Sequence, residues 1–201
     1  MIQNYIFDLG QVLLRFVPRE IVADFTDDPC AIKAITETMF DRLYWDRLDD
    51  GTISDEETKA LACQRLPKEY HEAACLAFDR CFQTRPIIEG MPSLLSDLKK
   101  TGAGLYLLSN ISCFFAEHYR ETPHLAQLLS PFDGLVFSGP LHVTKPSREI
   151  LSYLLGKYDL KAEDCLFIDD SQINLDGAAR VGIQGYLFDG DVLKLRRALL
   201  P

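Results

Sequence analysis

Several apolar stretches of the sequence end in residues that do chemistry: Asp8, Ser109, Asn110, Asp169 and Asp170. Lys145 lies in a turn before a predicted helix. Carboxylates about 4 Å apart repel each other by about 4 kcal/mol at an effective dielectric constant of about 20, so three of them at one site need cations. A lysine supplies one positive charge, and Mg²⁺ bound by carboxylate and carbonyl oxygens supplies two more. The set fits phosphoryl transfer, with Asp8 as a carboxylate nucleophile and Ser109 and backbone N–H groups binding the phosphoryl oxygens.

Each of these residues also has a plainer interpretation when it is taken alone. An aspartate at the end of a strand is commonly the N-cap of the following helix. Lys145 before Pro146 fits a solvated turn, and Ser109-Asn110 fits a loop. Their occurrence together, at the ends of elements along one chain, favours a shared site.

Five short apolar stretches predict strands that are buried on both faces of a sheet. They cover 4–9, 104–108, 134–138, 165–169 and 184–188. Helical patterns lie at 91–101, 112–121, 147–158 and 172–181. This alternation predicts an α/β fold with a parallel, Rossmann-like sheet, in which ligands bind at the carboxyl ends of the strands.

The interval 15–88 breaks the alternation, because it holds helical periodicity only. The predicted helices lie at 19–26, 30–48, 54–65 and 68–82. Ser54 and Glu57 have the spacing of a capping box at the start of the third helix. We therefore predict a helical cap domain at 16–85, inserted after the first strand of a core domain made of 1–15 and 86–201.

Composition narrows the class of protein. A formal net charge of −9 disfavours a nucleic-acid partner or an anionic membrane surface. The sequence has no basic signal-peptide start and no apolar run near the roughly 18 residues of a membrane span. Six cysteines without C-x-x-C spacing are interpreted as buried free thiols in a reducing compartment. We expect a cytoplasmic protein whose partner is a small molecule, with no indication of its oligomeric state.

Four motifs, in this order, resemble those of the haloacid dehalogenase (HAD) superfamily. They are FDLGQVL at 7–13, LLSN at 107–110, TKP at 144–146 and FIDDSQIN at 167–174. The resemblance spans nearly the whole chain and implies a Rossmann-like core with a C1-type helical cap. It implies a phosphatase whose nucleophile, Asp8, is phosphorylated during turnover. It also implies Mg²⁺ held by Asp8, Asp170 and the carbonyl of Gly10, so that the Gly10 backbone lies beside the substrate.

The same resemblance implies roles for the other site residues. Ser109 and Asn110 would bind the phosphoryl oxygens, and Lys145 would hold both the nucleophile and the phosphate. Asp169 would orient Lys145. Asn174 would reach the metal through a water molecule.

One position departs from the family pattern. Most phosphatases of this family carry a second aspartate, a general acid and base, two residues after the nucleophile, and this chain has Gly10 there. General acid catalysis contributes about 10²–10⁴ in rate. Three alternatives follow: a leaving group that departs readily, such as that of an anomeric sugar phosphate; an acid supplied by the cap; or a slow or non-catalytic domain. Similarity to the branch that contains bacterial glucose-1-phosphate phosphatases favours the first.

A metal-independent dehalogenase is a further alternative, since haloacid dehalogenases also lack this aspartate. Asp170 and Asn174 look like a metal-binding edge, which dehalogenation does not need. The sequence therefore favours a Mg²⁺-dependent phosphatase of a small phosphorylated metabolite.

The cap region carries weaker signals. Trp45 is interpreted either as part of a loop that closes over the substrate or as a buried core residue. Asp49 and Asp50 are interpreted as a solvated helix end, and His118 and His124 as surface or loop residues.

Overall fold

The computed structural model describes residues 2–200 and contains a parallel sheet with strand order β3-β2-β1-β4-β5. The strands are β1 (Asn4–Phe7), β2 (Gly104–Ser109), β3 (Gly134–Phe137), β4 (Cys165–Asp169) and β5 (Gln184–Leu187). Since β1 lies at the centre between β2 and β4, the chain leaving β1 emerges between the ends of those two neighbours. The predicted α/β fold with a Rossmann-like parallel sheet is confirmed.

Four of the five strands end one or two residues away from the predicted position, and one strand differs in burial. β1 ends at Phe7 rather than at residue 9, although the N–H of Asp8 still donates a hydrogen bond to the carbonyl of Ile168 at 3.0 Å. β5 is not buried on both faces, because Gln184 and Leu187 are exposed. As an edge strand, β5 has a neighbour on one side only.

Between β1 and β2 the chain first forms helices that pack on one another. They are α1 (Pro18–Ala23), α2 (Pro29–Met39), α3 (Arg42–Asp49), α4 (Asp55–Cys63) and α5 (His71–Asp79). Ile21, Ile35 and Met39 are fully buried in an apolar cluster that belongs to this segment. The segment therefore has a hydrophobic core of its own.

The boundaries of these helices follow their capping residues. The predicted helix 30–48 is wrong as one element: it breaks after α2, and Asp41 restarts the chain by accepting a hydrogen bond from the N–H of Leu43 at 3.0 Å. The predicted capping box of Ser54 and Glu57 is present at α4. The last predicted helix begins with a 3-10 turn, Lys68–Tyr70, before α5.

The rest of the chain supplies helices to both faces of the sheet. They are α6 (Met91–Lys100), α7 (Cys113–His118), α8 (Pro123–Leu129), α9 (Arg148–Lys157), α10 (Gln172–Ala179) and α11 (Val192–Leu199). Phe7 belongs to the apolar cluster on one face and Ile6 to the cluster on the other, so β1 is buried on both sides. The sequence periodicity assigns no helix to α8 or α11.

Across residues 2–200, no helix has both the length and the apolar character that crossing a bilayer requires. The six cysteines are free, as predicted, but only Cys81 and Cys165 are buried.

Candidate active site

The carboxyl ends of β1, β2 and β4 bring the motif residues to one edge of the sheet. Phe7 pairs with Leu107 on β2 and with Ile168 on β4, so the residues just beyond these pairs emerge side by side. Six of the predicted residues line one cavity of about 610 Å³: Asp8, Gly10, Ser109, Asn110, Lys145 and Asn174. Asp169 is fully buried beside Lys145.

Lys145 forms the charged centre of this edge. Its Nζ lies 2.7 Å from Oδ1 of Asp8 and 2.8 Å from Oδ2 of Asp169. Burial disfavours the ammonium form, but the two carboxylates outweigh burial and raise the pKa of Lys145. The lysine is therefore held as a cation between two carboxylates.

Opposing effects act on the pKa of the Asp8 carboxyl. The net result is a pKa raised to about 6: burial raises it most, the ammonium of Lys145 lowers it, and the charge of Asp169 raises it. One buried cation shared by two carboxylates leaves a net negative site. A second cation beside Asp8 would favour the ionised form of its side chain.

Asp169 has its hydrogen-bonding capacity filled. Besides Lys145, its carboxylate accepts hydrogen bonds from the N–H of Ser171 at 2.8 Å and from Nδ2 of Asn174 at 3.0 and 3.1 Å. Asn174 thus contacts Asp169 directly, whereas the resemblance implies a contact with metal through water. Together these contacts orient Asp169 towards Lys145.

The carboxylates also fit a divalent cation. Oxygens of Asp8, Asp169 and Asp170 lie within 4.8 Å of one another. The carboxylate of Asp169 already forms an ion pair with Lys145. Asp170 is exposed and accepts no hydrogen bond from another residue of the described chain. Burial of part of the side chain and the charge of Asp169 raise the pKa of Asp170. Asp8 and Asp170 are therefore the carboxylates available to Mg²⁺, which takes one or two carboxylates and keeps several waters.

Asn110 ties the end of β2 to the turn that carries the lysine. Its Oδ1 accepts a hydrogen bond from the N–H of Lys145 at 2.8 Å, and its Nδ2 donates to the carbonyl of Lys145 at 3.1 Å. The side-chain amide is thus used to position Lys145. Ser109, which is buried, lines the cavity next to it.

Aromatic residues line the same cavity. Phe82 links the helical segment to the core, since its ring centroid lies 5.3 Å from that of Phe16 and 4.7 Å from that of Phe115. Trp45 lies in α3 rather than in a loop, and it both lines the cavity and packs on Phe40 at 5.1 Å. The aromatic residues that line the cavity are Phe16, Trp45, Phe78, Phe82, Phe114, Phe115 and Tyr119.

Three residues interpreted as solvated or surface residues also line this cavity. They are Asp49, the last residue of α3, together with His118 and His124. Burial raises the pKa of Asp49 to about 7, which is incompatible with a solvated helix end. Helical periodicity carried no signal for this placement, because it does not say which face of α3 meets the core.

The family of the chain follows from comparison with known proteins. The model of the haloacid dehalogenase-like hydrolase family matches residues 4–182. The chain belongs to this family. It is a HAD hydrolase with the α/β fold that its four motifs predict.

Relatives of this HAD hydrolase include named phosphatases. A sesquiterpene phosphatase of Aspergillus oryzae is 27% identical over 180 residues, which are 90% of this chain and 86% of the relative. A D-ribitol-5-phosphate phosphatase of Bacteroides thetaiotaomicron is 25% identical over an alignment 201 positions long, which covers 92% of this chain and 91% of the relative.

A HAD family enzyme of Bacteroides thetaiotaomicron, solved in complex with magnesium and inorganic phosphate, has the same fold. Its TM-score to this chain is 0.72 at 21% identity, with 97% of this chain and 99% of that chain covered. The likeness extends over the helical segment as well as the sheet.

Gly10 has room for a side chain but carries none. A Cβ built on Gly10 would meet no heavy atom within 4 Å. What this HAD hydrolase lacks at that position is a functional group rather than space.

Proposed function

We propose that this protein is a Mg²⁺-dependent phosphatase that acts on a small phosphorylated metabolite through an aspartyl-phosphate on Asp8. The observation that carries the proposal is the buried contact of Lys145 with Asp8 and Asp169, with Asp170 beside them. We call Asp8, Gly10, Lys145 and Asp169 the floor of the cavity. A carboxylate next to a fixed cation, facing a cavity, is suited to attack a phosphate ester.

In the first half of the reaction, an oxygen of Asp8 attacks phosphorus while the bond to the ester oxygen breaks. Lys145 offsets the negative charge of the nucleophile and of the incoming phosphate. The Ser109 hydroxyl and backbone N–H groups beside Gly10 and Asn110 bind the phosphoryl oxygens. In the second half, water attacks phosphorus and releases Asp8 and inorganic phosphate.

Mg²⁺ would be held by Asp8, Asp170 and the carbonyl of Gly10. When bound, it supplies positive charge that stabilises the transferring phosphoryl group. Asp169 acts on this site indirectly, by holding Lys145, and Asn174 by holding Asp169.

We propose that residues 16–85 act as a cap and that 1–15 and 86–201 form the core. The separate apolar cluster of α1–α5 supports this division. The cap side contributes Phe16, Trp45 and Phe78 to the cavity, while the core side contributes the charged floor.

The cavity favours the phosphate ester of an apolar alcohol over the sugar phosphate suggested by the sequence. Polar residues such as Asp49, His118 and His124 also line the cavity, but apolar atoms make up the larger part of its surface. Sugar hydroxyls need hydrogen-bonding partners when they leave water, and the aromatic rings provide few. A volume of about 610 Å³ accommodates a large hydrocarbon group. The sesquiterpene phosphatase among the relatives agrees with this substrate class.

The test is phosphate release from farnesyl phosphate, glucose-1-phosphate and ribitol-5-phosphate, each with Mg²⁺ and with EDTA. We expect the highest kcat/KM on farnesyl phosphate, loss of activity in EDTA and recovery with Mg²⁺. Phosphate release that EDTA leaves intact would contradict the Mg²⁺ dependence, and no activity on any ester would favour the metal-independent dehalogenase chemistry or a non-catalytic domain. Asp8→Asn should abolish turnover; a residual rate above about a tenth would refute the nucleophile assignment, because a covalent step cannot run on an amide.

A further inference from the structure

An alkyl phosphate ester cannot release its alcohol well without a proton donor, and the floor of the cavity offers none. Gly10 has no side chain, and the hydrogen bonds to Asp169 leave it no role as a donor. Asp8 is the nucleophile of the proposed reaction, and Lys145 is held between two carboxylates. The donor must therefore come from another part of the cavity.

Asp49, in the helical segment between β1 and β2, lines the same cavity. It is the last residue of α3 and lines the cavity together with Asp8 and Lys145. Its carboxyl accepts no hydrogen bond and forms no ion pair within residues 2–200. A partly buried carboxyl without a partner, facing the space that a substrate would fill, is free to exchange a proton there.

The backbone at Asp49 is fixed to the core. Its carbonyl accepts a hydrogen bond from the hydroxyl of Ser138 at 2.5 Å, and the same hydroxyl oxygen accepts one from the N–H of Ile111 at 2.8 Å. The next carbonyl, that of Asp50, accepts a hydrogen bond from Nδ1 of His142 at 3.0 Å. The end of α3 is thus held against the loops that follow β2 and β3, on the side of the sheet where the site lies.

We propose that Asp49 is the general acid and general base of this reaction. The proposal rests on the phosphatase function proposed above. In the first half, the Asp49 carboxyl gives its proton to the ester oxygen as the bond between that oxygen and phosphorus breaks, so the alcohol leaves neutral. In the second half, the Asp49 carboxylate takes a proton from the water that attacks phosphorus, which restores the acid.

The electrostatic surroundings of Asp49 suit both halves. Its pKa is raised to about 7, mainly by burial and then by the charge of Asp46. Smaller contributions come from Asp8, which also raises the pKa, and from Lys145 and Arg42, which lower it. A group with a pKa near the working pH is populated in both protonation states, which is the condition for efficient acid and base catalysis.

Asp55 is a competing candidate, because it also lines the cavity and burial also raises its pKa. Its carboxylate, however, accepts a hydrogen bond from Ser112 at 3.4 Å, and it is the first residue of α4. The positive end of a helix stabilises a carboxylate and opposes its protonation. Asp49 lies at the carboxyl end of its helix, where the negative end of the helix dipole destabilises a carboxylate and favours its protonated form.

The deciding experiment compares Asp49→Asn with the wild type on two esters in rapid-quench assays with Mg²⁺. With farnesyl phosphate, alcohol release should slow by about 10²–10⁴. With p-nitrophenyl phosphate, whose leaving group needs no proton, the first burst of nitrophenolate should keep its wild-type rate. The steady state that follows should slow, because the attacking water has lost its base. Asp50→Asn, one residue further along the chain with a side chain that accepts a hydrogen bond from Thr52, should behave as wild type.

Equal slowing of the burst with both esters would overturn the proposal, since it would mean that Asp49 only shapes the site. Unchanged alcohol release would overturn it as well. Asp8→Asn separates this test from that of the phosphatase function. If Asp8→Asn abolishes both bursts and Asp49→Asn does not discriminate between the esters, only the role of Asp49 fails.

A second variant tests the same role in an enzyme whose acid is intact. Asp46→Asn removes a charge that raises the pKa of Asp49. The fall in alcohol release from farnesyl phosphate with rising pH should therefore move to lower pH in this variant. The burst rate with p-nitrophenyl phosphate should show no such shift. A pH profile for farnesyl phosphate identical to that of the wild type would contradict the assignment.

Discussion

Nζ of Lys145 lies 2.7 Å from Oδ1 of Asp8, and only 2% and 13% of the two side chains are exposed. Burial of a charged side chain costs free energy because the charge loses its hydration, and pairing with an opposite charge offsets part of that cost. Lys145 also pairs with Asp169, so this one lysine offsets the negative charges of both buried carboxylates.

Replacing Lys145 by Met should reduce both stability and activity. Removal of one partner from a buried ion pair typically costs about 3–5 kcal/mol in the free energy of unfolding. Loss of a group that stabilises the transferring phosphoryl should lower kcat by about 10²–10³. Urea unfolding and phosphate release measure the two effects.

Lys33→Met is the matched control, because Lys33 is exposed and pairs with Glu37 on the surface. It should change neither quantity. The double variant Lys145→Met/Asp169→Asn should recover stability but not activity. An unfolding free energy unchanged in Lys145→Met would contradict this account of the buried charges.

Asp8→Asn should be more stable than the wild type near neutral pH when Mg²⁺ is chelated. Burial and Asp169 raise the pKa of Asp8 from 3.8 to about 6, so its ionised form is disfavoured in the folded state. The ionised Asp8 therefore destabilises the folded state in a pH-dependent way. The effect is absent below pH 3.8, the pKa in the unfolded chain, grows as the pH rises to the folded-state pKa of about 6, and is fully present above that pH.

Thermal melting of both proteins from pH 4 to pH 8 in EDTA tests this dependence. The advantage of the variant should be small at the acid end and largest at the neutral end. Mg²⁺ should stabilise the wild type more than the variant. A variant less stable than the wild type at every pH would show that the contact with Lys145 outweighs burial.

Asp170→Asn should raise the Mg²⁺ concentration needed for half-maximal activity by about tenfold or more. Asp170 is the exposed carboxylate beside Asp8, and no other described residue donates a hydrogen bond to it. Asp176→Asn, on the exposed surface of α10, where Asp176 accepts a hydrogen bond from Gln172, is the matched control. Equal Mg²⁺ titrations for the two variants would exclude Asp170 as a ligand.

The grouping of the motif residues at the carboxyl ends of the strands was predictable, because each motif follows a strong local pattern. Asp8 and Asp169 come directly after or at the end of strands rich in apolar residues, and the parallel arrangement then fixes their proximity. No knowledge of distant contacts is needed for that inference. The capping box at Ser54 was predictable for the same reason, since its residues are three positions apart.

The position of Asp49 was not predictable in this way. It depends on hydrogen bonds from Ser138 and His142, which are about ninety positions away in the chain. Composition and periodicity describe neighbours along the chain, whereas the packing of α3 on the core is a tertiary property. The exposure of β5 and the contact of Asn174 with Asp169 escaped prediction for the same reason.

Phe114→Ala should weaken binding of an apolar substrate without loss of stability. Phe114 lines the cavity, yet 54% of it is exposed in the free protein, so its truncation leaves little cavity in the core. Loss of part of the buried area of a phenyl ring should raise the KM for farnesyl phosphate by about tenfold. The KM for a small polar ester such as glycerol phosphate should not change.

Tyr153→Ala is the control for Phe114→Ala, because Tyr153 is an exposed aromatic residue on α9 that does not line the cavity. It should leave both KM values unchanged. Equal increases for the apolar and the polar ester would contradict an apolar binding role for Phe114.

Gly51→Ala should disturb the site from a distance through the end of α3. Gly51 has a φ of +70°, and a Cβ there would lie 2.3 Å from the carbonyl oxygen of Gly139. The backbone must therefore move, and with it Asp49, two residues earlier. A displacement of about 1 Å in a catalytic group costs about 10² in rate. We expect a loss of this size in kcat on farnesyl phosphate, with the p-nitrophenyl phosphate burst much less affected.

Gly156→Ala is the matched control, because Gly156 lies within α9 and a Cβ there meets nothing within 4 Å. This variant should keep full activity and gain about 0.5–1 kcal/mol in the free energy of unfolding, since alanine is the better helix former. If Gly51→Ala also kept full activity on both esters, contact between the end of α3 and Gly139 would not matter for catalysis. The position of Asp49 would then be set by α3 alone, and the hydrogen bond from Ser138 would be the next contact to remove.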